Sequence, residues 1–275
     1  GYPYFRMKRS YALEHNLYLG AEQTVSKALS LTYGARITVF RNVGKALLYS
    51  YDQNYDVSGT TEYGSGKIYH TYIRPEFRAG AVYKLDDYSS VKANFTHNTQ
   101  FIQMANNSDS GSPLDLWFPA SPNIKPQEAN QYSVGYFRNF NNNSIETSVE
   151  FYYKGMHNVI DFKDNAQILF NDKLEGEIRT GKGKSYGMEI MVKKNTGRLT
   201  GFVNYTLAHT DRTIPGINEG KTYLAPNDKT HSVNILASYN LTKKWDVSAE
   251  WVFSTGTPVT YPTGRFEING EYYPI

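Results

Sequence analysis

Apolar and polar residues alternate with a period of two along most of the chain. From Leu29 the odd positions read Leu29, Leu31, Tyr33, Ala35, Ile37 and Val39, and the even positions read Ser30, Thr32, Gly34, Arg36 and Thr38. Successive side chains of a β-strand point to opposite faces, so this segment predicts a strand with one oily and one polar side. Leu13, Leu17, Leu19 and Ala21 alternate in the same way with Glu14, Asn16, Tyr18 and Glu22. So do Val91–Phe95, Ile145–Tyr153, Val233–Leu241 and Trp245–Phe253, with weaker versions over 69–85, 129–139, 185–194 and 199–208. The count is about ten strands, most of ten residues or more, where strands of water-soluble proteins run to about five or six.

The connections carry a second pattern. Short turns are expected near 26–27, 86–89, 141–143, 195–198 and 242–244, and long polar segments over 42–68, 102–128, 155–183 and 209–227. Short and long connections therefore alternate. Long amphipathic strands with tight turns at one end and long loops at the other predict an all-β fold, an antiparallel transmembrane β-barrel of the bacterial outer membrane. In hydrocarbon every backbone N–H and C=O needs a partner, and a closed sheet supplies one. A soluble sandwich, β-helix or propeller also alternates, but its strands are shorter and its long loops do not all fall at one end.

Composition changes this picture little. The mean hydropathy of −0.56 and 20% charged residues would suit a soluble protein, yet half of every barrel strand is polar, so the average is uninformative. No run of about 18 apolar residues exists to make a helical span. The net charge of +3 is too balanced for a dedicated nucleic-acid binder. Cysteine is absent, which excludes disulfides, thiol chemistry and cysteine-ligated zinc. The 24 tyrosines, 14 phenylalanines and 3 tryptophans fit strands.

If the tight turns are periplasmic, the first strand runs inward and the last runs outward, so both chain ends fall on the outer side. A complete barrel has an even strand number and short periplasmic turns, with its termini normally in the periplasm. The expectation is a piece of a larger barrel, residues 1–275 forming part of one barrel domain with strands missing on both sides.

At this point the order of short signatures resembles the barrel of TonB-dependent outer-membrane receptors of the Bacteroidota type. Ile124-Lys125-Pro126-Gln127 followed by Gln131-Tyr132-Ser133-Val134-Gly135-Tyr136 is similar to the passage from loop to strand in these receptors. Glu150-Phe151-Tyr152-Tyr153-Lys154 resembles their next strand, and Gly183-Lys184-Ser185-Tyr186-Gly187-Met188-Glu189 their Gly-x-Ser-x-Gly-x-Glu strand. Tyr205-Thr206-Leu207-Ala208, Asp228-Lys229-Thr230-His231-Ser232-Val233-Asn234, and Trp251 through Gly256-Thr257-Pro258 resemble later barrel segments. The resemblance implies a barrel of about 22 strands around a plug, with about eight strands before Gly1 and about four after Ile275. It implies coupling to TonB through a plug that this chain lacks, contact with outer-membrane lipid, and a surface lipoprotein as a further partner. The Gly-x-Ser-x-Gly string lies in an alternating strand, not on a strand-to-helix turn, so it is not a nucleophile elbow.

Candidate ligand contacts are fewer. Asp115, Trp117 and Phe118 belong to an aromatic, apolar stretch in a polar loop that could stack on a sugar or another apolar ligand face. The ordinary alternative is packing of these rings onto the barrel rim. Tyr49, Tyr51 and Tyr55 sit in another long loop. Arg74, Glu76 and Arg78 share one face at i, i+2 and i+4, among other inward charges at Arg36, Lys92, Glu146, Glu150, Glu189 and Glu250. Such charges usually form cross-strand pairs in a wet interior. Tyr83, Tyr153, Tyr205, Trp245 and Phe253 read as interface girdles. The histidines form no metal-spaced pair, and the Gly181-Lys182-Gly183-Lys184 run lacks the phosphate-loop spacing, so neither metal nor cofactor is expected.

The function implied by the resemblance is energy-coupled uptake of a siderophore, cobalamin, peptide or glycan, with no nucleic acid and no enzymatic step. Two alternatives remain at this stage. One is a complete small barrel enzyme, protease or phospholipase, using His157, His209, Asp161 and Asp211 near the outer loops. The other is a passive porin.

Overall fold

A computed structural model describes residues 9–105, 116–168, 171–259, 265–268 and 271–274. The chain order is β1 (Tyr11–Thr24), β2 (Leu29–Val43), β3 (Ala46–Tyr51), β4 (Val57–Tyr63), β5 (Ile68–Lys84), β6 (Ser89–Gln100), β7 (Ile102–Ala105), β8 (Leu116–Pro119), β9 (Gln127–Phe140), β10 (Ile145–Phe162), β11 (Ile178–Lys194), β12 (Leu199–Thr213), β13 (Tyr223–Leu224), β14 (His231–Asn240), β15 (Asp246–Ser254), β16 (Arg265–Ile268) and β17 (Glu271–Pro274). Ten long strands form one sheet in the order β1-β2-β5-β6-β9-β10-β11-β12-β14-β15, with β13 added to β12. Each neighbouring pair is antiparallel. The sheet is open: among the described residues β1 and β15 each have a partner on one side only.

Register shows how the alternation becomes two surfaces. One row of directly opposed residues reads Tyr33, Ala79, Phe95, Tyr132, Tyr153, Tyr186, His209 across β2 to β12. The row one residue away reads Gly34, Arg78, Thr96, Gln131, Lys154, Ser185, Thr210. A one-residue step thus switches the whole sheet from aromatic to hydrophilic. The apolar face is bare: Leu17 is 75% exposed, Leu19 81% and Trp251 55%. A continuous apolar surface of this kind is not left to water.

The tight turns have recognisable chemistry. Between β9 and β10, Asn141, Asn142 and Asn143 all take left-handed φ values of 52°, 54° and 64°, a region that asparagine tolerates better than other side-chain-bearing residues. Close backbone approach explains Gly34. A Cβ there would lie 2.9 Å from the Leu19 carbonyl oxygen and 3.0 Å from Arg78 Nε; its absence leaves room for the guanidinium on the polar face.

The long connections differ from their sequence outline. β10 continues to Phe162 and β11 begins at Ile178, so the expected 155–183 loop shrinks to residues 163–177. The pairing continues past a register shift between His157 and Val159. Asn158 takes φ 57° there, the period of two breaks, and the following Val159, Ile160, Asp161 and Phe162 are all buried. Two of the other long connections contain hairpins, β3–β4 and β7–β8.

The buried apolar residues lie in this outer layer, not within the membrane-length part of the sheet. Ala105, Phe118, Ile124, Ile160, Phe162, Leu174 and Ile178 form one cluster. Phe40, on the polar face of β2, forms another with Phe101 and Ala120 and stacks on Phe101 at 4.9 Å. Asn42 Nδ2 donates to the Ala120 carbonyl at 2.8 Å, and the Tyr72 hydroxyl donates to the Ser121 carbonyl at 2.7 Å. The connection between β6 and β9 is thereby tied down onto the polar, inward side of β2 and β5.

Candidate ligand cleft at the outer rim

Three connections meet over the polar face and enclose a cleft of about 1070 Å³. The β3–β4 hairpin gives Lys45, Leu48, Tyr49, Tyr51 and Glu62; β8 gives Trp117 and Phe118; the connection after β10 gives Asn171, Asp172, Leu174 and Glu175. Phe40, Asn42 and Tyr69 supply the floor from β2 and β5. The result is an aromatic, mainly apolar wall with charged groups of both signs around it, the usual make-up of a small-molecule site.

Short hydrogen bonds hold the three connections together. Asn123 Nδ2 donates to the Tyr49 carbonyl at 2.9 Å and to Glu175 Oε2 at 2.5 Å. The Tyr49 hydroxyl donates to Asp172 Oδ2 at 2.8 Å, and the Tyr51 hydroxyl to the Lys173 carbonyl at 3.2 Å. The Tyr51 ring lies against Gly176, where a Cβ would come within 2.6 Å of its Cε1. Burial, reinforced by the Glu175 carboxylate, pushes the Tyr51 phenol up to about 12. Its hydrogen bond to Asp172 is the main cause raising Tyr49. With both hydroxyls committed to the protein, these two tyrosines can offer a ligand ring surface rather than a hydroxyl.

The sequence candidates divide. Trp117 is 64% exposed and lines the cleft. Phe118 also reaches the lining, but it is buried edge-on to Phe162 at 6.0 Å and belongs to the outer-layer core. Tyr51 lines the cleft, whereas Tyr55 lies under the Arg179 guanidinium at 3.5 Å and is not part of the lining. Asp115 lies outside the described residues. Glu76 is buried and saturated: Arg36 Nε donates to it at 2.5 Å and Arg36 Nη2 at 2.8 Å, Thr38 Oγ1 at 3.0 Å and the Thr99 amide at 2.8 Å. Arg74 pairs with Glu128 at 2.8 Å. The alternating charges of β5 therefore find partners on other strands rather than in one another. Arg78 has no acidic partner among the described residues. Lys45, Glu62, Tyr69, Asp172 and Glu175 carried no sequence signal, because they are brought together only by the meeting of separate connections.

A model of the family described as TonB dependent receptor-like, beta-barrel matches residues 2–274. The chain belongs to the TonB-dependent receptor β-barrel family. Among solved structures, the alcaligin outer-membrane receptor FauA of Bordetella pertussis aligns with a TM-score of 0.57 at 15% identity, over 89% of this chain and 37% of that one. The copper transporter OprC aligns with a TM-score of 0.62 at 14% identity, over 90% and 35%. The pyoverdine receptor FpvA of Pseudomonas aeruginosa PAO1 aligns with a TM-score of 0.56 at 17% identity, over 88% and 34%. These likenesses establish the fold, and the chain spans about a third of the length of each structure. No curated protein matches it.

As a TonB-dependent receptor barrel, the chain resides in the outer membrane. The enzyme alternative falls with the family, whose members are receptors and transporters. The residues weighed for it enter separate networks. Asp161 accepts from Arg212 Nη1 at 3.0 Å and from the Tyr223 hydroxyl at 2.9 Å. Burial and this carboxylate together raise the Tyr223 phenol. Asp211 instead faces His209 at 3.3 Å and Lys184 at 3.4 Å. Among the described residues no group of three or more side chains could hold a metal.

Proposed function

We propose that this chain is one stretch of a TonB-dependent transporter that takes up a nutrient with energy from the inner membrane, and that the outer-rim cleft first captures the ligand. The observation that carries this reading is the position of the cleft. It lies over the hydrophilic face, at the end opposite the tight turns, where a solute entering from outside meets the lumen. The open sheet supports a larger barrel: in hydrocarbon the bare edges of β1 and β15 would leave backbone groups unpaired. Further strands of the same polypeptide complete the barrel to about 22, residues 1–275 contribute to that one domain, and a plug elsewhere in the polypeptide contacts TonB. The receptor is of the Bacteroidota type, its ligand a siderophore, cobalamin, peptide or glycan, and a surface lipoprotein is a further partner.

The test is uptake. Cells that depend on the intact gene should lose growth on the transported nutrient when the gene or tonB is deleted. Trp117→Ala should weaken capture with the barrel still assembled. Uptake that persists without TonB would overturn the reading.

A further inference from the structure

The polar groups of the outer-rim cleft are left incompletely matched by the chain itself. The lining carries three carboxylates, Glu62, Asp172 and Glu175, and two cations, Arg9 and Lys45. Asp172 accepts from the Tyr49 hydroxyl and Glu175 from Asn123, both neutral donors. Among the described residues Glu62, Glu175, Arg9 and Lys45 make no ion pair. The charge of Glu175 reaches across the cleft: after burial, it is the next cause that raises both the Tyr51 and the Tyr69 phenols.

The floor adds an acceptor. Asn42 is 1% exposed. Its Nδ2 donates to the Ala120 carbonyl, its amide faces the Tyr69 phenol as a donor, and its Oδ1 has no hydrogen-bond partner. A buried amide oxygen without a donor is costly, so Asn42 and Glu175 together favour a ligand that brings N–H groups and positive charge.

The aromatic rings point the same way. Around this layer the chain sets its own cations over tyrosines: Lys67 Nζ lies 5.7 Å from the centre of the Tyr63 ring, Lys173 Nζ 5.8 Å from that of Tyr49, and the Arg179 guanidinium 3.5 Å from that of Tyr55. Trp117, exposed in the same lining, has no such cation among the described residues. Indole offers the best ring face for a cation.

Building on the capture role given to the cleft above, we propose that its ligand is a short peptide with a basic side chain. Glu175 and Asn42 supply the negative end of the site, Trp117 the ring face for the ammonium or guanidinium group, and Lys45 and Arg9 a place for a carboxylate. A peptide carries both signs of charge. A neutral glycan would leave Glu175, Lys45 and Arg9 unmatched, and a polyanion would meet three carboxylates. The volume of about 1070 Å³ is large for a small-molecule site and gives room for several residues.

Calorimetry on the intact receptor, purified in detergent, tests this with Ala-Lys-Ala and the same peptide acetylated on the lysine Nε, which lacks that charge. Ala-Lys-Ala should bind about tenfold more tightly. Glu175→Gln keeps an oxygen for Asn123 and should remove the preference. Trp117→Leu keeps an apolar side chain without a π-face and should weaken Ala-Lys-Ala more than the acetylated peptide; it keeps the test alive should Glu175→Gln fail to assemble. Glu219→Gln, at an exposed carboxylate outside the lining, should leave both affinities unchanged. Equal binding of the two peptides, a preference that survives both cleft variants, or tighter binding of a glucosamine disaccharide, cationic but without a carboxylate, would each overturn the inference. Binding in detergent needs no energy input, so the two readings fail separately. Equal binding with uptake still dependent on TonB would sink only the peptide, and preferential binding with uptake independent of TonB would sink only the transport reading.

Discussion

Trp117 and Phe118 are adjacent in sequence yet do different things, because a strand sends neighbours to opposite sides. Trp117 offers an exposed ring at the cleft, and removing it should cost ligand affinity about tenfold, the scale of one lost stacking contact. Stability should change little, as urea unfolding of the assembled barrel would show. Phe118→Ala should do the reverse, with a loss of about 3–5 kcal/mol for a buried phenyl ring. Glu76 tests the lumen wall. Glu76→Gln keeps the shape but removes the charge facing Arg36, so an unfolding loss of about 1–3 kcal/mol is expected with no change in ligand affinity. Tyr51 gives a pH signature. Its folded pKa of about 12 exceeds the ordinary tyrosine value of 10. Between those values the unfolded chain releases a proton that the folded chain keeps. Stability from this group is therefore intact below pH 10 and falls as pH rises toward 12. Alkaline unfolding of Tyr51→Phe should lack that increment of pH dependence.

At the scale of elements, the turn between β9 and β10 should depend on asparagine chemistry. Replacing Asn141, Asn142 and Asn143 by alanine should cost about 1–2 kcal/mol for each left-handed position and slow insertion of that hairpin, which refolding followed by gel mobility would detect. This turn was legible beforehand, as were the barrel strands, since both depend on local chemistry: period-two burial and tolerance of positive φ. The upper part of β10 was not legible. The bulge at Asn158 shifts the alternation; Val159 is buried there, and Ile160 and Phe162 pack into the core of the outer connections. The same limit applies to the cleft. Trp117 stood out as an apolar residue in a polar stretch, but Lys45, Glu62 and Glu175 lie far apart in sequence and are gathered by Asn123 and the outer-layer core, long-range contacts that periodicity does not encode.

At the scale of the whole molecule, the arrangement is the inverse of a soluble domain: the large apolar residues of the sheet stay outside, and the compact cores sit in the outer connections. That inversion makes tryptophan a direct probe. Trp251 opposes Ile235 on the apolar face, whereas Trp117 lies in the cleft above the polar face. In vesicles made with brominated lipid, heavy-atom quenching acts only on indoles near the acyl chains. The quenched fraction should therefore fall in Trp251→Phe and rise slightly in Trp117→Phe, because the latter removes an unquenched emitter. Equal quenching changes for the two variants would mean that the two faces do not separate lipid from lumen, and the cleft's access from outside would lose its physical basis.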